Sequence, residues 1–544
     1  MNDIQNNIKN IHIKNDFLIN KNKSSKIEII KNPILLFIAC LLIFEVMFLF
    51  NCLPNNIWHK KEIKNRILSE VGYKLSNGLY SENYSFKAIY FTSSDNQLVS
   101  LFNETYTKDI KEISFDNEKI PISSTYTFPT PGNHTLYFIM NSPSTNSLSY
   151  LFNSTKQLLS ISFSSSFNTE NVIDMKGMFF RCSSLVSVEN LSNLNTKNVI
   201  DMSQLFDGCS NLTSIDFSGL NTENVKNMSK LLYFCSKLNS VNININTKNV
   251  ISMNSMFCGC RLLRSIDLST FDTQNVEDMN SMFSSSGFYK LNLSNFNTKN
   301  LLSTVYMFGS TESLEELDIS SFDTSNVIEM SSMFSYCTKL TSLDVSHFNT
   351  ENVKKMDFMF RSLKSLTSLN VNFNSKNVET MEHMFSDITS MKNLTVKLDT
   401  HNVKSMFFMF GLCTSLKTLN LSSFDTQNVV TMQAMFENCE SLEDLDVSSF
   451  NTTNVQNFYS MFSSCSSMKV LDLSSFDTIN TVSLFNMFGF CNNLHRLDIS
   501  GFHHIKNESF LNFYTEKPGV IIVNKDIEKI VKDQVRNNWM VIVK

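Results

Sequence analysis

Glycine and proline are scarce in this chain, at 13 and 7 among 544 residues. The length would allow several ordinary domains, but that composition leaves little material for linkers between them or for glycine-rich phosphate loops. Charge of either sign is also in short supply: the net value is −5, with no basic field suited to a nucleic-acid backbone. Catalytic spacings are missing too. The chain has no G-x-x-x-x-G-K-[ST], no H-E-x-x-H, no G-x-S-x-G and no C-x-x-C pair, and its nine histidines are scattered. Neither an enzyme nor a bound cofactor or metal is expected from such a sequence.

Methionine (27) and phenylalanine (47) are abundant instead, as when one buried pattern is copied many times. Ahead of the copies lies one long apolar run, Pro33 to Leu53, whose single charge is Glu45. About 20 such residues span a bilayer as a helix, and the apolar neighbours offset a cost of roughly 2.5–3.5 kcal/mol for the buried Glu. Five lysines precede the run (Lys14, Lys21, Lys23, Lys26, Lys31), and Lys60, Lys61, Lys64 and Arg66 follow it. That count narrowly favours a cytosolic N-terminus. The expected order is therefore a polar cytosolic tail over 1–32, a transmembrane helix over 33–53, a stalk over 54–80 and a small β-rich domain over 81–147. A repeat array over 148–502 and a C-terminal β-α cap over 503–544 complete it.

The repeat is the strongest signal. An Asn, usually followed by Val, recurs at Asn171, Asn198, Asn224, Asn249, Asn275, Asn300, Asn326, Asn352, Asn377, Asn402, Asn428, Asn454 and Asn480, a period of about 26 residues. Within one copy, Leu340, Leu343 and Val345 end on the alternation of a strand. Val327, Met330, Met333, Phe334 and Cys337 fall at offsets 0, 3, 6, 7 and 10, which predicts one face of a short helix. Asn326 would cap that helix, and Asp174, Asp201, Asp278 and Glu329 would sit in its first turn. The expected fold class is thus an α/β repeat solenoid, leucine-rich-repeat-like, with one parallel strand and one short helix per coil. No such coil can bury both faces alone, so neighbours must stack, with strands about 4.8 Å apart and thirteen coils running about 60 Å.

The string FDTSNVxxMSSMFxxCxxLxxLDLS, clear at 322–345 and again at 424–447 and 450–473, resembles the 26-residue surface-antigen repeat of the BspA-like leucine-rich-repeat family. The tail, with Gly519–Val523, Asp526–Val535 and Trp539, is similar to the strand-helix-Trp segment that closes such arrays. The run TYTFPTPGNHTLYF at 125–138 looks like the small β domain that often precedes them. What the resemblance implies is a surface protein for adhesion or recognition, with the membrane (through Pro33–Leu53) and an extracellular protein or cell-surface ligand as partners. The runner-up is a structural coat or spacer without a specific ligand.

Two columns deserve their own expectations. Nine cysteines (Cys182, Cys209, Cys235, Cys260, Cys337, Cys413, Cys439, Cys465, Cys491) hold one repeat position, where Ser286, Leu363 and Ile388 stand in other copies. A disulfide ladder is compatible with the spacing, yet exchange with Ser, Leu and Ile favours a column of small buried side chains. The outward strand position carries Asp216, Asp267, Asp318, Asp344, Asp446, Asp472 and Asp498, with Glu189 and several Asn between them. Like charges opposed across strands repel, so backbone or hydroxyl groups, the intervening Asn, or bound cations must offset them. This ladder is the candidate binding face. Twelve N-x-[ST] sequons follow the apolar run, a weak signal in so Asn- and Ser-rich a chain.

Overall fold

The computed structural model describes residues 84–116, 118–503, 505, 510–512, 517–535 and 538–544, and Tyr84–Lys544 forms one compact unit. The expected tail, apolar run and stalk lie outside the described residues. Among the described residues no helix is long and apolar enough to cross a membrane.

The repeats build a β-solenoid, which corrects the expected α/β class. Among the described residues the α-helix is confined to Glu528–Gln534, after the last coil. Where a helix was expected, the chain makes a run of tight turns hydrogen-bonded to the next coil. The N–H groups of Met330, Ser332, Phe334 and Tyr336 donate to the carbonyls of Lys355, Asp357, Met359 and Arg361 at 2.8–3.1 Å. The alternate N–H groups of Met333, Ser335 and Cys337 turn back to Met330, Ser332 and Phe334. Ser332 and Tyr336 are left-handed, with φ of 58° and 61°, which no α-helix tolerates. Val327, Met330, Met333, Phe334 and Cys337 still point inward and are fully buried. A chain of turns satisfies those offsets as well as a helix does.

The reason is spacing. Packed helices need about 8–10 Å between axes, whereas paired strands sit about 4.8 Å apart. A coil bonded to its neighbours at strand pitch on every side has no room for a helix. The acids expected in a helical first turn instead form a second parallel column, in which Asp174, Asp201, Asp278 and Glu329 belong to an unbroken series of bridges from Ser147 to Ser483. On the opposite side short strands pair in parallel, Ser214–Asp216 with Ser240–Asn242 and Lys290–Asn292 with Glu316–Asp318 among them. The repeat Asn is not a helix cap: Asn326 Nδ2 donates to the Lys299 carbonyl of the preceding coil at 2.8 Å, and Asn198 through Asn480 repeat that bond.

Both ends are sealed by strands. Leu158–Phe163 pairs with Phe86–Thr92 in antiparallel fashion and with Ser187–Glu189 in parallel, so the N-terminal sheet runs directly into the first coils. At the other end Arg496–Asp498, Gly519–Val523 and Trp539–Val543 pair in parallel succession.

Two left-handed residues, four apart, recur in each coil, and most are not glycine. Serine tolerates that geometry at a small cost, but a β-branched side chain does not. Ser332→Val is expected to destabilise the protein by about 1–2 kcal/mol while Ser332→Gly does not, as read by urea denaturation. Equal midpoints for the two variants would contradict the left-handed assignment.

Candidate functional site

Inside the solenoid the columns are structural. Phe152, Phe179 and Phe206 stack, as do the ten rings from Phe257 to Phe488, with centroids 5.1–5.9 Å apart and planes within 17° of parallel. Leu232 fills the column between Phe206 and Phe257. Such parallel rings mean that successive coils tilt little against one another. All ten cysteines of the repeats are free and buried. Each column thiol donates to the carbonyl of the ring-column residue of the preceding coil, as Cys337 Sγ does to Phe308 and Cys260 Sγ to Leu232, both at 3.2 Å. Thr311 makes the same bond with its hydroxyl, to Phe283 at 2.8 Å. Burial raises the thiol of Cys337 to about 12, so it stays protonated and unreactive.

A third internal column was not read from the sequence. The Thr of Phe-Asp-Thr is buried, and Thr298 Oγ1 both donates to the Asp323 carbonyl at 2.9 Å and accepts from its N–H at 2.7 Å. Its signal was the near-invariance of Thr in a turn that otherwise needs only Asp or Asn.

Two outward faces remain. On the strand face, Asp216, Asp267, Asp318, Asp344, Asp446 and Asp472 are exposed, while Asp498 is buried under an ion pair with Lys544 at 2.6 Å. The register sets Asp472 beside Asp498, but Asp216 and Asp318 lie beside Asn242 and Asn292. Each Asp closes the turn that follows it: Asp318 Oδ1 accepts the Ser320 N–H at 3.1 Å and its hydroxyl at 2.7 Å. Serine hydroxyl and N–H together hold Asp267, Asp318, Asp344 and Asp446 below the usual carboxylate range, and at Asp216 the Ser218 N–H leads. At Asp498 burial opposes ionisation, yet Lys544 and Ser500 keep its carboxyl low. A lowered carboxyl stabilises the fold above its unfolded value and loses that contribution as pH falls through the folded one. Turn N–H groups and intervening Asn therefore offset the repulsion. Among the described residues no three His, Cys, Asp or Glu are placed to hold a metal ion.

The second face was missed by the sequence reading. A groove follows the Asn column, with stretches of about 560, 330 and 650 Å³ lined by Asn146–Lys226, Asn224–Asn300 and Asn326–Lys404. One wall is the Asn side chains; the other is the residue two positions on. That second column includes Ile173, Ile200, Ile251, Leu302, Ile328, Val430 and Val482, each 39–56% exposed. Its backbone forms a ladder of its own, Ile200 N–H to the Ile173 carbonyl at 2.8 Å and onward to Val482. The available signal was an aliphatic residue recurring just outside the predicted inward stripe.

A family model described as "Mycoplasma protein of unknown function, DUF285" matches residues 146–265, 241–318, 259–368, 288–397 and 381–502. No curated protein matches. Among solved structures, one described as "Crystal structure of TLR13-ssRNA13 complex" is similar over 68% of this chain and 76% of that one, at 10% identity and a TM-score of 0.13. Superposition that poor carries no argument about fold or ligand.

Proposed function

This chain belongs to DUF285, the Mycoplasma family of unknown function, and on that premise we propose that it is a non-enzymatic surface protein whose solenoid recognises an extended protein or cell-surface partner. The observation that carries this reading is the strand face, where Asp216, Asp267, Asp318, Asp344, Asp446 and Asp472 stand exposed in one column, interspersed with Asn. Such a face suits an extended partner with several cationic groups, because each acidic coil adds a similar contact. The sequence resemblance to BspA-like repeats supports adhesion as the biological setting.

The turns supply a clean test. Asn292 and Asn420 accept the following serine N–H at 3.0 Å just as the aspartates do. Replacing Asp318, Asp344, Asp446 and Asp472 together by Asn therefore removes four charges and keeps four turns. The full chain carrying these changes is expected to melt as the wild type does and to bind cells or matrix on the order of tenfold more weakly, with its salt dependence flattened. Unchanged binding would remove the acidic face from the interaction. Self-assembly without saturable binding to any surface would favour the coat or spacer reading instead.

A further inference from the structure

The groove face calls for a partner of its own. Its outer column places Ile328, Lys354, Glu379 and Lys404 in four successive coils, all exposed. Lys354, Glu379 and Lys404 form no ion pair with one another or with any other described residue, although other surface acids and lysines do, as Lys376 and Glu351 show at 2.7 Å. Three unpaired charges of alternating sign thus stand in a row otherwise largely aliphatic.

Pitch decides what fits. Coils repeat about every 4.8 Å, whereas side chains on one face of an extended polypeptide repeat about every 6.6–6.8 Å and drift out of step within a few coils. A second stack of the same coils keeps step over its whole length. We infer that the groove face is a homodimer interface, in which a second copy of this chain lies antiparallel with the two-fold axis between Lys354 and Glu379.

The register follows from the residues. About that axis Lys354 meets the other copy's Glu379, and Glu379 meets its Lys354. One coil further out, Ile328 lies along the aliphatic stem of Lys404. Beyond it Leu302 meets Val430, and two coils further Ile251 meets Val482; between these, Glu277 meets Gln456. No like charges face each other. Sliding one copy by one coil in one direction sets Lys354 on Lys354, and in the other sets Glu379 on Glu379 and Lys354 on Lys404, so both neighbouring registers are penalised. Ten coils overlap over roughly 45 Å, and a strip about 18 Å wide then reaches the ~800 Å² per partner of a standard interface. The aliphatic column of each copy enters the groove beside the Asn column of the other, which gives those half-exposed side chains their cover.

Charge exchange tests both the interface and its register. Sedimentation velocity of the full chain is expected to give a concentration-dependent dimer. Lys354→Glu alone sets Glu against Glu, and Glu379→Lys alone sets Lys against Lys, so each variant is expected to sediment as a monomer with an unchanged melting curve. Mixed in equal amounts, the two variants are expected to form a dimer again, since each supplies the charge the other lost. Ile328→Glu, which faces Lys404, is expected to tighten the wild-type dimer several-fold. A wild-type chain that stays monomeric at about 100 μM, single variants that still dimerise, or a mixture that stays monomeric would each overturn the proposal.

Discussion

Phe334→Ala is expected to destabilise the protein by about 3–5 kcal/mol, the range for removing a fully buried aromatic ring. Phe334 has no exposed surface and stacks on Phe308 at 5.6 Å and on Phe360 at 5.9 Å, so the change opens a hole against both neighbouring coils. In a globular core that loss would be shared across the domain. In a solenoid each coil touches chiefly the next, and stability is close to a sum of coil and interface terms. The damage should therefore stay local and divide the array into two weakly coupled blocks. Hydrogen exchange is expected to show lost protection centred on 308–360, with the coils near Phe206 and Phe462 largely unaffected. Urea unfolding should lose its two-state form. Phe334→Leu should cost much less, because Leu232 already holds this column between Phe206 and Phe257. Uniform loss of protection along the chain would rule out this quasi-one-dimensional picture.

The period and the inward residues were legible because burial depends on direction, and direction repeats in the sequence. Val327, Met330, Met333, Phe334 and Cys337 point into the core as their offsets require. What the offsets could not convey is where the backbone bonds go. A helix sends each N–H four residues back within its own segment; here Ser332 and Phe334 send theirs to Asp357 and Met359, one coil away. That choice belongs to the stack. The expected pitch of about 4.8 Å already conflicted with a helix in every coil, since helices need about twice that distance. The acidic column was legible as outward-facing, though not as a set of turn closures, because the serine two residues on each Asp looked like ordinary surface composition. The groove was illegible for the same cause as the helix error: a residue beside the inward stripe of an imagined helix reads as its flank, whereas in the true fold Ile328 stands on an outer wall.

Thr298→Val is expected to cost roughly 2–4 kcal/mol, although it changes almost nothing in volume. The hydroxyl of Thr298 serves both backbone groups of Asp323, one as donor and one as acceptor, in a column that is 1% exposed at this coil. Valine leaves the carbonyl and N–H of Asp323 without this hydroxyl in a part-buried turn, and each group left unpaired carries about 1–3 kcal/mol. Thr298→Ser keeps the hydroxyl, and should lose little beyond the packing of one methyl group; Ser375 in its own coil still donates to the Asp399 carbonyl at 2.9 Å. The ordering Thr ≈ Ser above Val, measured as urea midpoints, is opposite to what burial of apolar area would give, because valine is the more apolar residue. If valine proved neutral or stabilising, the threonine column would be mere filling. Coil-to-coil cohesion on that side would then rest on the asparagine bonds, such as Asn326 to the Lys299 carbonyl, and on the parallel ladders alone.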